Sequence, residues 1–291
     1  MLRNSGRPRL AALATAAVLL ISGCTHYHPV PAAKAKAAGL PYAVAKTGTL
    51  RVGMSPDFPP MEYLDDKTHQ VAGVDIDLIR AVGKQMGVRV DIVQQSFDQL
   101  TSSVQTTRTD IAMSGLSDTV ERQKTVDFVD YFAARGRIYT LKGKAGAYRK
   151  FTDACGKHLA VGKKVDYYQQ IQDVSRKYCV DAGRPPIRIL PADSGAAARL
   201  QLQQGRVELA AQGEENLTYF GKSDPSAYSV VMPPLPSTPF AVVIKKGDTT
   251  MANAVLKALK AVEKSGEYQR VLKAAGLGYG STEPVINGTG S

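Results

Sequence analysis

The sequence predicts an α/β fold made of two units, because strand and helix patterns alternate along the chain and the alternation resumes after Gly143. Such alternation is typical of parallel sheets that are covered by helices on both faces. The chain has 291 residues, of which 44% are apolar, so it is long enough to bury either one large domain or two lobes of ordinary size.

The first unit opens with a strand signal at residues 49–53. A helix is predicted at 75–86, where one face is apolar and Gly87 follows directly as a stop signal. The pattern then predicts a strand at 88–93, a helix at 97–105 and a short strand at 110–113.

The second unit repeats the alternation, with strands predicted at 158–161, 187–190 and 207–211 and helices at 166–180 and 194–204. A Pro-rich stretch at 232–239 separates this unit from the rest of the chain. One more strand at 240–245 and two helices at 249–264 and 267–275 are predicted to close the fold.

The N-terminal segment has the order of a secretory signal peptide. Residues 1–23 carry three arginines and no acid, followed by an apolar run at 10–21 and the small residues Ser22 and Gly23. The apolar run is shorter than the roughly 20 residues that span a bilayer, which argues against the alternative of a permanent transmembrane helix.

Cys24 follows these small residues, and the sequence ISGC at 21–24 resembles the lipobox of bacterial lipoproteins. The resemblance implies that Cys24 receives lipid on its sulfur and holds an extracytoplasmic protein at the cell membrane; an ordinary signal peptide with an incidental Cys24 is the alternative. Residues 24–46 are rich in Ala and Pro and predict a flexible tether. His26 and His28 lie in this tether without a further metal ligand nearby, so no metal site is predicted.

The charge of the chain is strongly positive, at +11, and removal of residues 1–23 leaves +8. A basic surface favours anionic lipid headgroups or acidic ligands through long-range attraction. Lys and Arg are spread along the chain without a recognition motif, which argues against nucleic-acid binding. In a chain directed to an oxidising compartment, Cys155 and Cys179 are predicted to form a disulfide.

Five short motifs carry the most specific signal. They are GMSPDFPPMEY at 53–63, GVDIDL at 73–78, FDQL at 97–100, SGLSDTVER at 114–122 and VDF at 126–128. In this order and spacing they resemble bacterial extracellular solute-binding protein family 3, the receptors for polar amino acids of ABC importers. The resemblance covers nearly all of residues 48–277.

The resemblance implies the two-lobe periplasmic-binding-protein fold of type II, a clamshell with two crossing strands and the ligand in the cleft. By this mapping the first lobe comprises residues 47–140 and 236–280, the second lobe comprises 141–235, and the crossings lie near 138–141 and 237–241. Residues 281–291 are rich in Gly, Ser and Thr and are predicted to be a disordered tail. A monomer without a cofactor is expected.

The segment 114–122 has the chemistry of a carboxylate site. Arg122 can bind both oxygens of a carboxylate, and Ser114 and Ser117 add donors close to a helix start at Thr119. Taken alone, Arg122 is better interpreted as part of a surface ion pair with Glu121 or Asp118. The resemblance favours carboxylate binding and places Ser114 and Gly115 beside the amino group of the ligand.

Other positions map onto the walls of the cleft. Phe58 corresponds to the aromatic residue that packs on the ligand, Phe97 would form another wall, and Ser55 lies where some relatives have an acid that contacts the ligand. For the phenylalanines, a place in the core is the alternative. Asp75 and Asp77 are interpreted as structural residues at a helix start, where the helix dipole favours them.

The second lobe departs from the family in two places. Lys164, Val165 and Asp166 replace the usual Gly-Thr-Thr; Lys164 could supply a charge and Asp166 could cap a helix or meet an ammonium group, or both could be exposed loop charges. Gly213 replaces the aspartate that commonly pairs with the α-ammonium group. Either Glu214 takes over that role or the ligand is not a standard α-amino acid.

Three functions are compatible with this sequence. The first is a solute-binding protein that delivers an amino-acid-like carboxylate to the permease of an ABC importer. The second is an enzyme that resembles cyclohexadienyl dehydratases, but no convincing catalytic pair is present. The third is a sensory lipoprotein on the same fold. The first, which is not an enzyme, is the prediction.

Overall fold

A computed structural model of the chain describes residue 1 and residues 39–163, 165–223 and 227–289. The predicted signal peptide, Cys24, residues 24–38 of the tether and Lys164 lie outside the described residues. Within these ranges no helix combines the length and the apolar character that a membrane span requires.

Most strands form one large sheet, and three short ones form a separate antiparallel sheet next to the first motif. The strands are β1 Thr49–Met54, β2 Asp57–Phe58, β3 Glu62–Leu64, β4 Val71–Ala72, β5 Arg89–Gln94, β6 Ile111–Ala112, β7 Val126–Leu141, β8 His158–Gly162, β9 Arg188–Ala192, β10 Leu209–Gly213, β11 Tyr228–Val231 and β12 Ser237–Lys245. The order in the large sheet is β5-β1-β6-β12-β7-β10-β8-β9, with β11 also paired to β7.

The helices follow the predicted alternation closely. They are α1 Tyr42–Thr47, α2 Val74–Met86, α3 Leu100–Gln105, α4 Val120–Gln123, α5 Asp166–Ser175, α6 Gly195–Gln203, α7 Glu214–Ser223, α8 Thr249–Lys264 and α9 Glu267–Ala275. The turn 97–99 before α3 is a 3₁₀ helix, and residues 176–180 after α5 form a π-helical turn.

The strand β7 connects the two halves of the sheet. Residues 126–135 of this strand pair with β12, whereas residues 136–141 pair with β10 and β11. The change of partner falls between Arg135 and Gly136, a few residues before the predicted crossing. The pairs that involve β7 are antiparallel, and the parallel pairs β1–β5, β1–β6, β8–β9 and β8–β10 lie on either side of them.

The buried apolar side chains form separate clusters on the two sides of this crossing. Two clusters draw on residues 40–134 and 240–277, and the other two draw on residues 138–235. Two cores that are joined by crossing strands are the arrangement that the predicted type II clamshell requires, so the predicted fold class is confirmed.

The first lobe extends further toward the N-terminus than the composition indicates. The end of the predicted tether is helical in α1, where Val44 and Ala45 bury their side chains against the first core, as does Leu40 just before the helix. The predicted disulfide between Cys155 and Cys179 is present, with 5.5 Å between the two Cα atoms.

The C-terminal tail was expected to be disordered, and over residues 281–289 this expectation is wrong. The Asp130 N–H donates to the Val285 carbonyl at 2.8 Å, and the Phe128 N–H donates to Asn287 Oδ1 at 2.8 Å. The Thr289 N–H donates to Asp118 Oδ2 at 3.2 Å. Polar composition does not prevent order here, because β7 and Asp118 offer backbone and side-chain partners to the tail.

Candidate functional site

The loop after β6 carries Ser114, whose hydroxyl is committed to the fold. Ser114 Oγ donates to Glu62 Oε1 at 2.8 Å and accepts the Ser55 N–H at 3.0 Å. Ser114 and Ser55 are both buried, and Ser55 Oγ donates to Asp57 at 3.2 Å. The two predicted serines therefore join the loop to the first motif, and their side chains are not displayed on an open surface.

Gly115 is required by its place beneath an aromatic ring. Its φ is 50°, and a Cβ atom here would lie 2.9 Å from the ring of Phe58. Phe58 is half-buried and packs edge-on against Phe240 with 5.9 Å between the ring centroids. Phe58 thus closes over the backbone of the loop, and one side of the ring remains partly accessible.

Two buried carboxyl groups, those of Glu62 and Asp75, hold this loop in place through hydrogen bonds. Asp75 is fully buried, accepts the Gly115 N–H at 2.9 Å and receives the Tyr131 hydroxyl at 2.8 Å. Burial raises the pKa of Asp75 to about 6, and burial followed by the charge of Asp75 raises the pKa of Glu62 well above its usual range. Asp75 is structural as predicted, but through these long-range contacts, because the N-cap position of α2 is Gly73 and makes no side-chain cap.

Arg122 lies on the short helix α4, whose first turn is capped by the Thr119 side chain. Its Nη1 donates to the Ser117 carbonyl at 2.9 Å, and burial lowers its pKa. The surface ion pair that the sequence left open is not formed, because Glu121 pairs with Lys124 at 2.5 Å and Asp118 accepts from Gln123. Among the described residues, no carboxylate forms a salt bridge with Arg122.

The structure brings Arg122 and Phe97 together. Both line a groove of about 340 Å³, which is completed by Asp98, Thr101 and Leu116. Arg122 therefore lines a space that is large enough for a small polar molecule, together with the predicted aromatic wall.

Asp166 reaches this region from the other half of the sheet. It is the first residue of α5, and Ser117 Oγ donates to its Oδ1 at 3.2 Å. Burial raises the pKa of Asp166, while bonds from Thr238 and Ser117 and the charge of Arg122 oppose this rise. Asp166 does not cap the helix, which was one of its predicted roles, because the N-cap position is Val165. It is half-buried and therefore not an exposed loop charge.

Glu214, the predicted substitute for the missing aspartate, is engaged elsewhere. Its carboxylate forms ion pairs with Arg135 and, at 3.3 Å, with Arg137. Arg135 also lies over the ring of Tyr279, 4.8 Å from the centroid. Two positive charges on β7 therefore hold Glu214, and this carboxylate is not available as an uncommitted group.

The neighbouring residue, Glu215, was considered from the sequence only as a possible general acid and was not among the predicted binding residues. It is fully buried, and neither carboxylate oxygen completes a well-aligned hydrogen bond with a described residue, although the Tyr167 hydroxyl faces it. Burial raises the pKa of Glu215 to about 8, and the charges of Asp166 and Glu214 contribute further. The sequence signal that could have indicated a role for Glu215 in binding is a glycine at 213, followed by two successive glutamates.

The described residues contain no group of three or more His, Cys, Asp or Glu side chains that could hold a metal ion. The arrangement instead consists of a guanidinium, hydroxyl and backbone donors, aromatic walls and a buried carboxyl group. These groups can bind a small zwitterionic or cationic molecule by charge-assisted hydrogen bonds and ring contacts.

Comparison with known proteins agrees with this arrangement. The arginine-binding protein ArgT of Corynebacterium glutamicum is 29% identical over 261 residues, which cover 89% of this chain and 83% of that protein. The solved structure of an ancestral arginine-binding protein bound to arginine has 28% identity and a TM-score of 0.68, and the match covers 78% of this chain and 97% of that one.

A second solved structure is the ancestral amino-acid-binding protein AncCDT-1, described as a precursor of cyclohexadienyl dehydratase. It has 29% identity and a TM-score of 0.69, and the match covers 80% of this chain and 97% of that one. The family model for bacterial extracellular solute-binding proteins, family 3, matches residues 50–275. With this match over most of its length, the chain belongs to bacterial extracellular solute-binding protein family 3.

Proposed function

We propose that this protein is a lipid-anchored receptor that binds a small amino-acid-like ligand outside the cytoplasm and delivers it to the permease of an ABC importer. The observation that carries the proposal is Arg122, a partly desolvated guanidinium without a carboxylate partner among the described residues, which lines a groove beside Phe97. A charged donor in such a place gains most from an anionic group that the ligand supplies.

The relatives guide the choice of ligand. ArgT is named as an arginine-binding protein, and one of the matching structures contains arginine. The buried Glu215 and the half-buried Asp166 place two carboxyl groups in the same region. A ligand with one carboxylate and one or more cationic groups therefore fits the charges of the site, and L-arginine is the first compound to test.

The test is isothermal titration calorimetry with L-arginine, L-lysine, L-ornithine, L-histidine, L-glutamine and opines. We expect Arg122→Ala to weaken the affinity for the best ligand by about 30-fold to 1,000-fold, since the ligand carboxylate loses its charged donor. Lys124→Ala, directly after the same short helix, is the matched control and should leave the affinity unchanged. A panel without any ligand, or an Arg122→Ala variant that binds like the wild type, would contradict the proposal.

Membrane attachment is tested separately through Cys24. We expect Cys24→Ser to lose incorporation of radiolabelled palmitate and to move the protein from the membrane fraction to the soluble extracytoplasmic fraction, because the thiol that would accept the lipid is gone. The purified variant should retain ligand affinity. Unchanged labelling and fractionation would show that Cys24 is not the site of lipidation.

A second candidate, an enzyme related to cyclohexadienyl dehydratases, is favoured by one feature. Glu215 is a buried carboxyl group with a pKa raised to about 8, which suits a general acid at neutral pH. Turnover of prephenate or arogenate by the purified protein, lost in Glu215→Gln, would support this candidate over the receptor.

A further inference from the structure

Gly213 and Glu215 form one structural unit. A Cβ atom on Gly213 would collide with the carboxylate of Glu215. The glycine is not needed for backbone freedom, since its φ does not lie in the left-handed region. Space is the reason for a glycine at 213, because the carboxylate that reaches back from 215 fills the volume that a side chain at 213 would occupy.

Glu215 lies close to residues that adjoin the candidate cleft. The next residue, Asn216, donates its amide to the Pro59 carbonyl at 2.5 Å, so the start of α7 touches the loop that carries Phe58. Asp166, which receives the hydrogen bond from Ser117, lies close enough for its charge to act on both Glu215 and Arg122. Glu215 is therefore on the side of α7 that closes against the loop of Arg122.

Among the residues that the structure describes, no positive charge compensates Glu215. The groups that face it are Asp166 and Tyr167 from α5, Glu214 from its own helix and Tyr279 near the C-terminus. Arg135 and Arg137, the nearby cations, form ion pairs with Glu214. A buried carboxylate in acidic and phenolic surroundings is costly unless it is protonated or meets a cation from outside.

We propose that Glu215 binds the cationic group of the ligand, an ammonium or a guanidinium, and so takes the role of the aspartate that Gly213 replaces. This inference rests on the proposed receptor function and deepens it, because it names the counter-charge that neither Glu214 nor Gly213 can provide. Compared with the family pattern, two positions differ together: a glycine stands at 213 in place of the aspartate, and a carboxyl group is present two residues later, at 215.

The paired geometry allows an exchange experiment. Glu215→Ala removes the counter-charge and is expected to weaken the binding of L-arginine by about 100-fold. Gly213→Asp alone places a side chain into occupied space and is expected to lose binding and to lower the melting temperature. The double variant Gly213→Asp/Glu215→Ala again has one carboxylate in the same volume, and we expect its affinity to return to within about tenfold of the wild type.

Two further variants keep the result interpretable. Glu215→Gln preserves volume without the charge and should bind as weakly as Glu215→Ala while remaining folded. Glu121→Gln, an exposed acid on α4, should bind like the wild type. Calorimetry in buffers of different ionisation enthalpy adds an independent readout. Near neutral pH the wild type should release up to one proton when the cation binds, and Glu215→Gln should release none.

The outcomes separate this inference from the receptor function itself. If the wild type binds no ligand of the panel, the proposed function fails. If the wild type binds and Arg122→Ala does not, but Glu215→Ala and Glu215→Gln bind like the wild type, the function stands and the inference is overturned. A folded double variant that binds as weakly as Glu215→Ala would likewise overturn the idea that positions 213 and 215 share one subsite.

Discussion

Replacing Asp75 with alanine is expected to lower the free energy of unfolding by about 3–5 kcal/mol and to abolish ligand binding under conditions where the protein is still folded. The fully buried carboxylate accepts the Gly115 N–H and the Tyr131 hydroxyl. Its removal leaves both donors unsatisfied and releases the loop that presents Ser117 and Arg122. Urea denaturation measures the stability, and calorimetry measures the affinity.

Asp77→Ala is the matched control for this prediction. Asp77 lies in the same first turn of α2, but it is exposed. Its replacement should change the free energy of unfolding by less than about 0.5 kcal/mol and leave the affinity unchanged. Similar losses in both variants would mean that the acids act only through the helix dipole, as the sequence suggested, and that the contacts to Gly115 and Tyr131 contribute little.

The stability of the ligand-free protein should fall as the pH rises, and Glu215 should account for a large part of the fall. Burial raises the pKa of Glu215 from 4.5 to about 8. Between these values the folded protein holds a proton that the unfolded chain releases. The free energy of unfolding therefore decreases with increasing pH through this window, by up to about 5 kcal/mol. The free energy of unfolding of the wild type should be markedly higher at about pH 5 than at about pH 9.

The comparison with Glu215→Gln isolates this contribution. The amide does not titrate, so we expect the variant to lose stability less steeply above about pH 5 and to exceed the wild type at alkaline pH. A shallower slope remains, because burial also raises the pKa of Asp130, to about 7, and that of Glu62. Denaturant titrations of both proteins across the pH range measure the difference. Parallel curves would mean that Glu215 is ionised in the folded protein throughout.

The predictions from sequence were most accurate for elements with a strong local pattern. The helix predicted at 75–86 is observed at Val74–Met86, and the helix predicted at 249–264 is observed at Thr249–Lys264. Both have an apolar face at helical spacing, so the information lies within the element itself. The long strand β7 was identified only through its crossing point, because its middle changes partner and its side chains are buried in both halves.

The residues of the candidate site likewise fall into those that a local motif predicts and those that only the folded protein brings together. Arg122 and Ser117 were predicted from the motif at 114–122, and Phe97 from the motif at 97–100 through the family resemblance. The structure places Arg122 and Phe97 on one groove and Ser117 beside it. Glu62 and Tyr131 were missed as supports of the loop, because residues that are 40 or more positions apart along the chain meet only in the folded protein.

The amino-acid sequence by itself determined the α/β class, the family and the disulfide. These features depend on local periodicity, on cysteine content and on motifs of adjacent residues. Only the tertiary structure decided which acid at the start of α7 has no cationic partner among the described residues. Glu214 and Glu215 are adjacent and chemically identical, but β7 brings two arginines to Glu214, whereas the missing side chain of Gly213 leaves buried space for Glu215. The difference between the two acids is one of burial and counter-charge, which the neighbours in space set and the neighbours in sequence do not.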